Sequence, residues 1–268
     1  MGWLEDLEKE GLLGSTTDES AFYVSVFLMG DFGTGKTRFI STCKKPLLLN
    51  FDQGDATLTA LKCDVPRINF PSGKKVYKLI NSILTDAKNK TGPFAPDGKY
   101  ADIETICIDS VTAMGKALLY EILKYERTGV VDPLKIKPEY DDWSFLGSRL
   151  QDLFRTVREL PYHVVVTATL TIDEAKDKPA IGFPDIPGKF RCQVSGYFDE
   201  VYIMTKRKGR PGEKEVMFET HTNQHQLWTG KSRWGVPSKI TELEFGTLEK
   251  LLQKSRKEGP TAIAMAED

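Results

Sequence analysis

The chain has 268 residues, of which 40% are hydrophobic and 28% charged, with a formal net charge of −1. That balance belongs to a globular protein able to bury a full core without disulfides or metals. It excludes a globally basic binder of nucleic acid, so any such contact has to come from local patches.

Residues 1–20 read as a short leader. Trp3, Leu4 and Leu7 share a helical face before Gly11 and Gly14 break the pattern. The acidic start lacks the apolar segment of a secretory signal, and Asp6 fails the myristoylation pattern. The apolar runs, such as 24–29 and 164–166, are too short to span a bilayer. Cys43, Cys63, Cys107 and Cys192 are scattered without a C-x-x-C, so reduced thiols and a cytoplasmic location are expected.

Residues 21–245 form the expected core, followed by a C-terminal helix and frayed tail over 246–268. Five short, near-continuous apolar runs are predicted strands: 23–29, 47–51, 105–108, 164–168 and 201–204. Such runs suit a parallel sheet buried on both faces. Between them lie helical patterns. Val76, Leu79, Ile80, Ile83, Leu84 and Ala87 form one stripe. Leu146, Leu150, Leu153, Phe154 and Val157 form another, with Ser144 as the expected cap. Alternating strands and helices predict an α/β fold with a mostly parallel twisted sheet and helices on both faces. Residues 127–141 and 171–190 read as long loops, and 206–214 as a basic turn between strands.

The first strand runs into Gly30-Asp31-Phe32-Gly33-Thr34-Gly35-Lys36-Thr37, which matches G-x-x-x-x-G-K-[ST], the P-loop. Glycines let the backbone wrap a phosphate with its N–H groups turned inward, and a following helix adds positive potential. Lys36 supplies charge to the β and γ phosphates, and Thr37 a hydroxyl for Mg²⁺. Arg38 continues the loop into the helix and completes the nucleotide-contacting set. ATP and Mg²⁺ are therefore the expected ligands.

Asp109 ends the third strand at the sheet edge where α/β folds bind ligands, and is the second expected Mg²⁺ contact. Asp52 ends the second strand and is placed to orient or deprotonate water, with Asp55 competing. Thr167 and Thr169 end the fourth strand, where a polar group can sense the γ-phosphate. His221 and His225 form H-x-x-x-H without further ligands at zinc spacing and are read as ordinary polar residues, while His163, at the start of a buried strand, is read as structural.

Six segments occur together in order: 29–39, 46–54, 105–112, 140–169, 182–204 and 230–237. The pairing of DIPGKF with a later GKSRWGVP is the most specific of these signals. In these segments the chain resembles the RecA-like ATPases, and more narrowly the short bacteriophage members described as single-strand annealing or recombination proteins. The resemblance implies that Asp52, in place of a more usual Glu, acts on water. It implies that Lys231 and Arg233 reach the γ-phosphate of a neighbouring subunit, so that ATP sits between copies of a homo-oligomer. It also implies that the two long loops contact single-stranded DNA. There Lys135, Lys137, Lys176, Lys178, Lys189 and Arg191 track phosphates, while Phe183 and Phe190 stack on bases. The implied function is ATP-driven annealing or recombination on single-stranded DNA, in the host cytoplasm for a phage protein. The alternative is a P-loop switch acting on a protein partner; a small-molecule kinase would need an arginine-rich lid that these loops lack.

Overall fold

The computed structural model describes residues 22–52, 56–70, 75–126, 137–173, 181–222 and 230–258. In chain order its strands are β1 (Ser25–Gly30), β2 (Pro46–Asn50), β3 (Arg67–Asn69), β4 (Thr105–Asp109), β5 (His163–Asp173), β6 (Ile181–Pro184), β7 (Glu200–Lys208), β8 (Val216–His221), β9 (Lys231–Ser232) and β10 (Lys239–Thr241). Its α-helices are α1 (Lys36–Ile40), α2 (Ala56–Ala60), α3 (Val76–Asn89), α4 (Val111–Glu121), α5 (Tyr140–Arg158) and α6 (Phe245–Glu258).

The sheet runs β10-β8-β7-β1-β5-β4-β2-β3. All pairings from β7 through β3 are parallel, while β8 and β10 extend the β7 edge antiparallel. β5 separates β1 from β4, so the P-loop strand and the Asp109 strand are not neighbours.

Alternation along β1 shows why its residues are nearly all apolar. Phe27 and Met29 enter one core with Ile80, Met114, Leu150 and Phe154 of α3, α4 and α5. Val26 and Leu28 enter a second core with Phe39, Tyr202, Phe245 and Leu248. Helices therefore cover both faces, and no polar face remains to interrupt the run. This is the expected α/β core, a mostly parallel sheet with helices on both faces.

Three local expectations need correction. Leu79 is 45% exposed, because the buried stripe of α3 follows Val76, Ile80, Leu84 and Ala87 and leaves Leu79 a helical step outside it. α5 begins at Tyr140 rather than after Ser144. Glu139 is its cap, and its backbone N–H donates to Asp142 Oδ2 at 2.7 Å, which adds a turn. The segment 171–190 is not one loop: β5 continues to Asp173 and pairs antiparallel with β6, and a short 3-10 helix covers Lys189–Cys192.

Candidate active site

β1 ends at Gly30, and the chain turns through residues 31–35 into α1. Gly33 and Gly35 have φ of +69° and +97°, which a side chain would strain. At Gly30 the reason for glycine is space: a Cβ would lie 2.5 Å from the Met204 carbonyl oxygen and 2.6 Å from Thr34 Oγ1. Buried Thr34 donates to the Asp31 carbonyl at 2.8 Å, and the Phe32 N–H donates to Asp31 Oδ1 at 2.7 Å. Phe32 itself is 77% exposed.

Lys36 Nζ donates to the carbonyls of Gly30 and Asp31 at 2.8 and 2.9 Å. The ammonium thus lies across the mouth of the loop, where a phosphate would compete with those carbonyls for it. Burial pushes the Lys36 pKa down, opposed by the charges of Asp109, Asp31 and Asp52. α1 has only five residues, so a helix dipole adds less than the sequence implied. Recognition rests on the loop N–H groups and Lys36.

Asp109 is buried at the end of β4, and both its oxygens are engaged. Thr37 donates to Oδ2 at 2.9 Å and Thr167 to Oδ1 at 2.5 Å. Burial raises the Asp109 pKa, the nearby Asp52 charge adds to this, and the two hydroxyls and Lys36 oppose it. A hydroxyl and a carboxylate side by side are hard oxygen donors that fit Mg²⁺. No group of three or more His, Cys, Asp or Glu suited to a metal occurs among the described residues. An ion held by Thr37 and Asp109 would therefore complete its shell with phosphate and water, the usual habit of Mg²⁺.

Thr167 departs from its expected role. It is fully buried behind Asp109 and orients that carboxylate, rather than meeting a γ-phosphate. The Thr169 N–H donates to Thr112 Oγ1 at 3.0 Å. Asp52 is exposed beyond the end of β2 and close enough to Asp109 for their charges to interact. Asp55 lies outside the described residues.

The fold adds a cation that sequence reading missed. Lys206 projects from β7, and its Nζ lies 3.4 Å from where a Cβ on Gly33 would stand. The hint was its place in the basic stretch after the fifth apolar run. Arg38 pairs with Glu242 and stacks over the Phe218 ring, 5.1 Å from its centroid, and that ring packs against Gly35 of the loop.

Lys231 and Arg233 lie at the opposite edge of the sheet. β9 pairs with Glu200 and Val201 at the start of β7, level with Val26 and Phe27 of β1. Lys231 Nζ donates to the Phe198 carbonyl at 2.6 Å, and Arg233 pairs with Asp199 at 3.0 Å. Gly30 is three to four residues further along β1, about 10–13 Å at the usual strand rise. Neither side chain belongs to the phosphate site of its own chain.

Of the residues expected to touch DNA, Lys135, Lys176 and Lys178 lie outside the described residues. Lys137 and Lys189 are exposed. Arg191 stacks over Phe183 at 4.8 Å. Phe190 is 2% exposed and packs against Phe154 and Tyr197, so it is a core residue and offers no face to a base. His221 hydrogen-bonds Thr205 at 3.1 Å, while His225 lies outside the described residues. The four cysteines are free. No helix among the described residues is long and apolar enough to cross a membrane.

Residues 23–234 match a family model described as an AAA domain. Among solved structures, the chain is similar to a KaiC-like protein of the hyperthermophilic archaeon Pyrococcus horikoshii OT3, with 12% identity and a TM-score of 0.41, covering 75% of this chain and 79% of that one. It is also similar to the flagellar accessory protein FlaH of Methanocaldococcus jannaschii, with 10% identity and a TM-score of 0.40, covering 81% and 84%. No curated protein matches the sequence. A family match over most of the chain agrees with a glycine-bent phosphate loop and a half-buried Thr37–Asp109 pair at one sheet edge: the chain belongs to the AAA-domain family of P-loop ATPases.

Proposed function

We propose that this chain hydrolyses ATP as an assembly of like subunits on single-stranded DNA and promotes annealing or recombination there. Water attacks the γ-phosphorus in line, the new P–O bond forms as the bond to the β-γ bridging oxygen breaks, and ADP leaves. Asp52 orients the water and takes its proton. Lys36 and the P-loop N–H groups offset charge on the phosphate oxygens, with Lys206 beside them. Thr37 and Asp109 hold Mg²⁺, which when bound neutralises phosphate charge.

The observation that supports the assembly is the position of Lys231 and Arg233. They lie on β9 and just after it, at the sheet edge remote from their own P-loop, as residues serving a neighbour's nucleotide would. The near-neutral charge of the chain favours a second reading, a P-loop switch acting on a protein partner.

ATP hydrolysis measured with and without single-stranded DNA separates the two, with Lys36→Ala as the blank. The expected result is turnover stimulated by DNA, absent in the variant, and fading as salt displaces phosphate contacts. Equal turnover in both conditions, with no DNA bound at low salt, would overturn the DNA reading and favour the partner switch.

A further inference from the structure

We propose that the groove between the first half of α5 and residues 186–193 is a stacking platform for a single strand of nucleic acid, with Tyr140 and Trp143 receiving bases. The inference rests on the DNA reading above, but moves the contact from the loops to a helix face that the motifs did not mark.

Tyr140 and Trp143 belong, with Tyr23, Phe32 and Phe145, to the aromatic rings left open to solvent among the described residues, and they are the ones that line this groove. Tyr140 is 81% and Trp143 36% exposed. Both stand on the extra turn that the Glu139–Asp142 box gives α5. They are three residues apart on one helix face, which spaces their Cβ atoms by about 5–6 Å. That is wider than the ~3.4 Å rise per nucleotide of duplex DNA, so the platform suits bases of an extended strand. Gly147, one turn further on, has open space where a side chain would stand, which continues the groove along the helix. On the other wall, Gly188 at φ +77° brings the backbone within reach of the Trp143 ring, 3.5 Å from the Cβ position.

The groove has a volume of about 810 Å³, and its chemistry is one-sided. Lys189 and Arg191 line it, and no carboxylate does. The carboxylates of the first turn of α5 stay out of the lining, and Asp142 is buried in the cap. Gln151 donates to Gln193 at 3.0 Å in its solvent-exposed lining, and the pair offers further polar contacts. Exposed rings, flanking cations and amides without opposing acids fit a strand whose bases stack and whose phosphates pair with lysine and arginine.

The test is anisotropy of fluorescein-labelled oligothymidylate at low salt, with the emission of Trp143 as a second signal. Tyr140→Ala and Trp143→Ala are each expected to weaken binding roughly 5- to 150-fold, the range for one lost base stack. Trp143→Phe keeps most of the affinity but loses the quenching, and Lys189→Ala lowers the salt slope by about one. Tyr140 is mostly solvent-exposed, so its variant keeps the test valid where Trp143→Ala disturbs Gly188; thermal melts report folding of each. If wild-type protein binds the oligonucleotide and Tyr140→Ala and Trp143→Phe match it in both affinity and quenching, the platform is wrong and the DNA reading stands. If wild-type protein binds no oligonucleotide, both fall. Loss of self-association in the groove variants, with DNA affinity unchanged, overturns the platform in favour of a second copy of the chain.

Discussion

Asp109 has to be charged to hold a cation, yet it is buried, and the charge of Asp52 is near. Two threonine hydroxyls reconcile these demands. Thr37 is the one the motif announces; Thr167, on the neighbouring strand, is the one the sequence disguised. Its position near a strand end suggested a phosphate sensor, but β5 runs on past it to Asp173, which leaves Thr167 inside the sheet. A hydroxyl that orients a ligand rather than touching the ion typically changes metal affinity or activity by about 10- to 100-fold when removed. Thr167→Val is expected to lower Mg²⁺-dependent turnover within that range and to raise the Mg²⁺ concentration needed for half-maximal rate. Thr167→Ser should restore both, because it returns the donor. A Thr167→Val enzyme with wild-type Mg²⁺ dependence would show that the contact is only packing. Contiguous chemistry was legible in the same way that non-contiguous chemistry was not. The P-loop could be read because its residues adjoin. Lys206 could not, because its approach to Gly33 exists only once β7 pairs with β1.

At the scale of elements, apolar runs identified β1, β2, β4, β5 and β7 and periodicity identified α3 and α5, but the short strands β3, β6, β9 and β10 were missed and some ends were misjudged. Apolar spacing reports a face, whereas ends are set by polar groups such as the Glu139 N–H on Asp142, which carry no period. His163 is a second example. It is a strand residue whose imidazole ties three elements together. Nδ1 accepts the Val24 N–H at 3.0 Å ahead of β1, and Nε2 lies 3.7 Å from Glu249 of α6. The ring also meets Phe245 edge-on at 5.2 Å. An N–H donated to Nδ1 requires that nitrogen to be unprotonated, so a second proton breaks the bond. Burial holds the His163 pKa below its ordinary value; Glu249 and Glu104 oppose this, and Lys44 adds to it. The unfolded chain therefore takes up a proton at a higher pH than the folded one. Stability contributed here is present above about pH 6.5 and lost as pH falls toward the lower folded value. Melts followed from about pH 8 to about pH 5 should show a decline that His163→Asn, which keeps an acceptor near Nδ1, makes shallower. Parallel declines in the two proteins would remove His163 from the account.

At the scale of the whole molecule, the sheet has two chemically distinct edges. One carries the P-loop, Asp109, Asp52 and Lys206. The other carries Lys231 and Arg233, held by Phe198, Asp199 and the buried carboxylate of Glu200, which accepts the Arg233 N–H at 3.0 Å. Burial lowers the Lys231 pKa; the charges of Arg233 and Arg158 act in the same direction, and those of Asp199 and Glu200 oppose them. Two cations sit together here with Asp199 as a surface partner, and their own phosphate site is out of reach. If copies stack so that one edge meets the other, each nucleotide is completed by the next subunit, and a basic residue supplied in trans is worth about 10³–10⁵ in turnover. Two defective proteins should then repair one another. Lys36→Ala lacks a working loop but keeps its basic pair, while a Lys231→Ala/Arg233→Ala double variant has the reverse defect. Each alone is expected to be inactive. Mixed in equal amounts they should regain about a quarter of wild-type turnover, since random head-to-tail assembly gives an intact loop an intact neighbour at that frequency. A mixture as inactive as its components would argue against shared sites, and full activity in the double variant alone would remove the basic pair from catalysis. The recovered activity should also fall on dilution, because it depends on contact between copies rather than on either chain by itself.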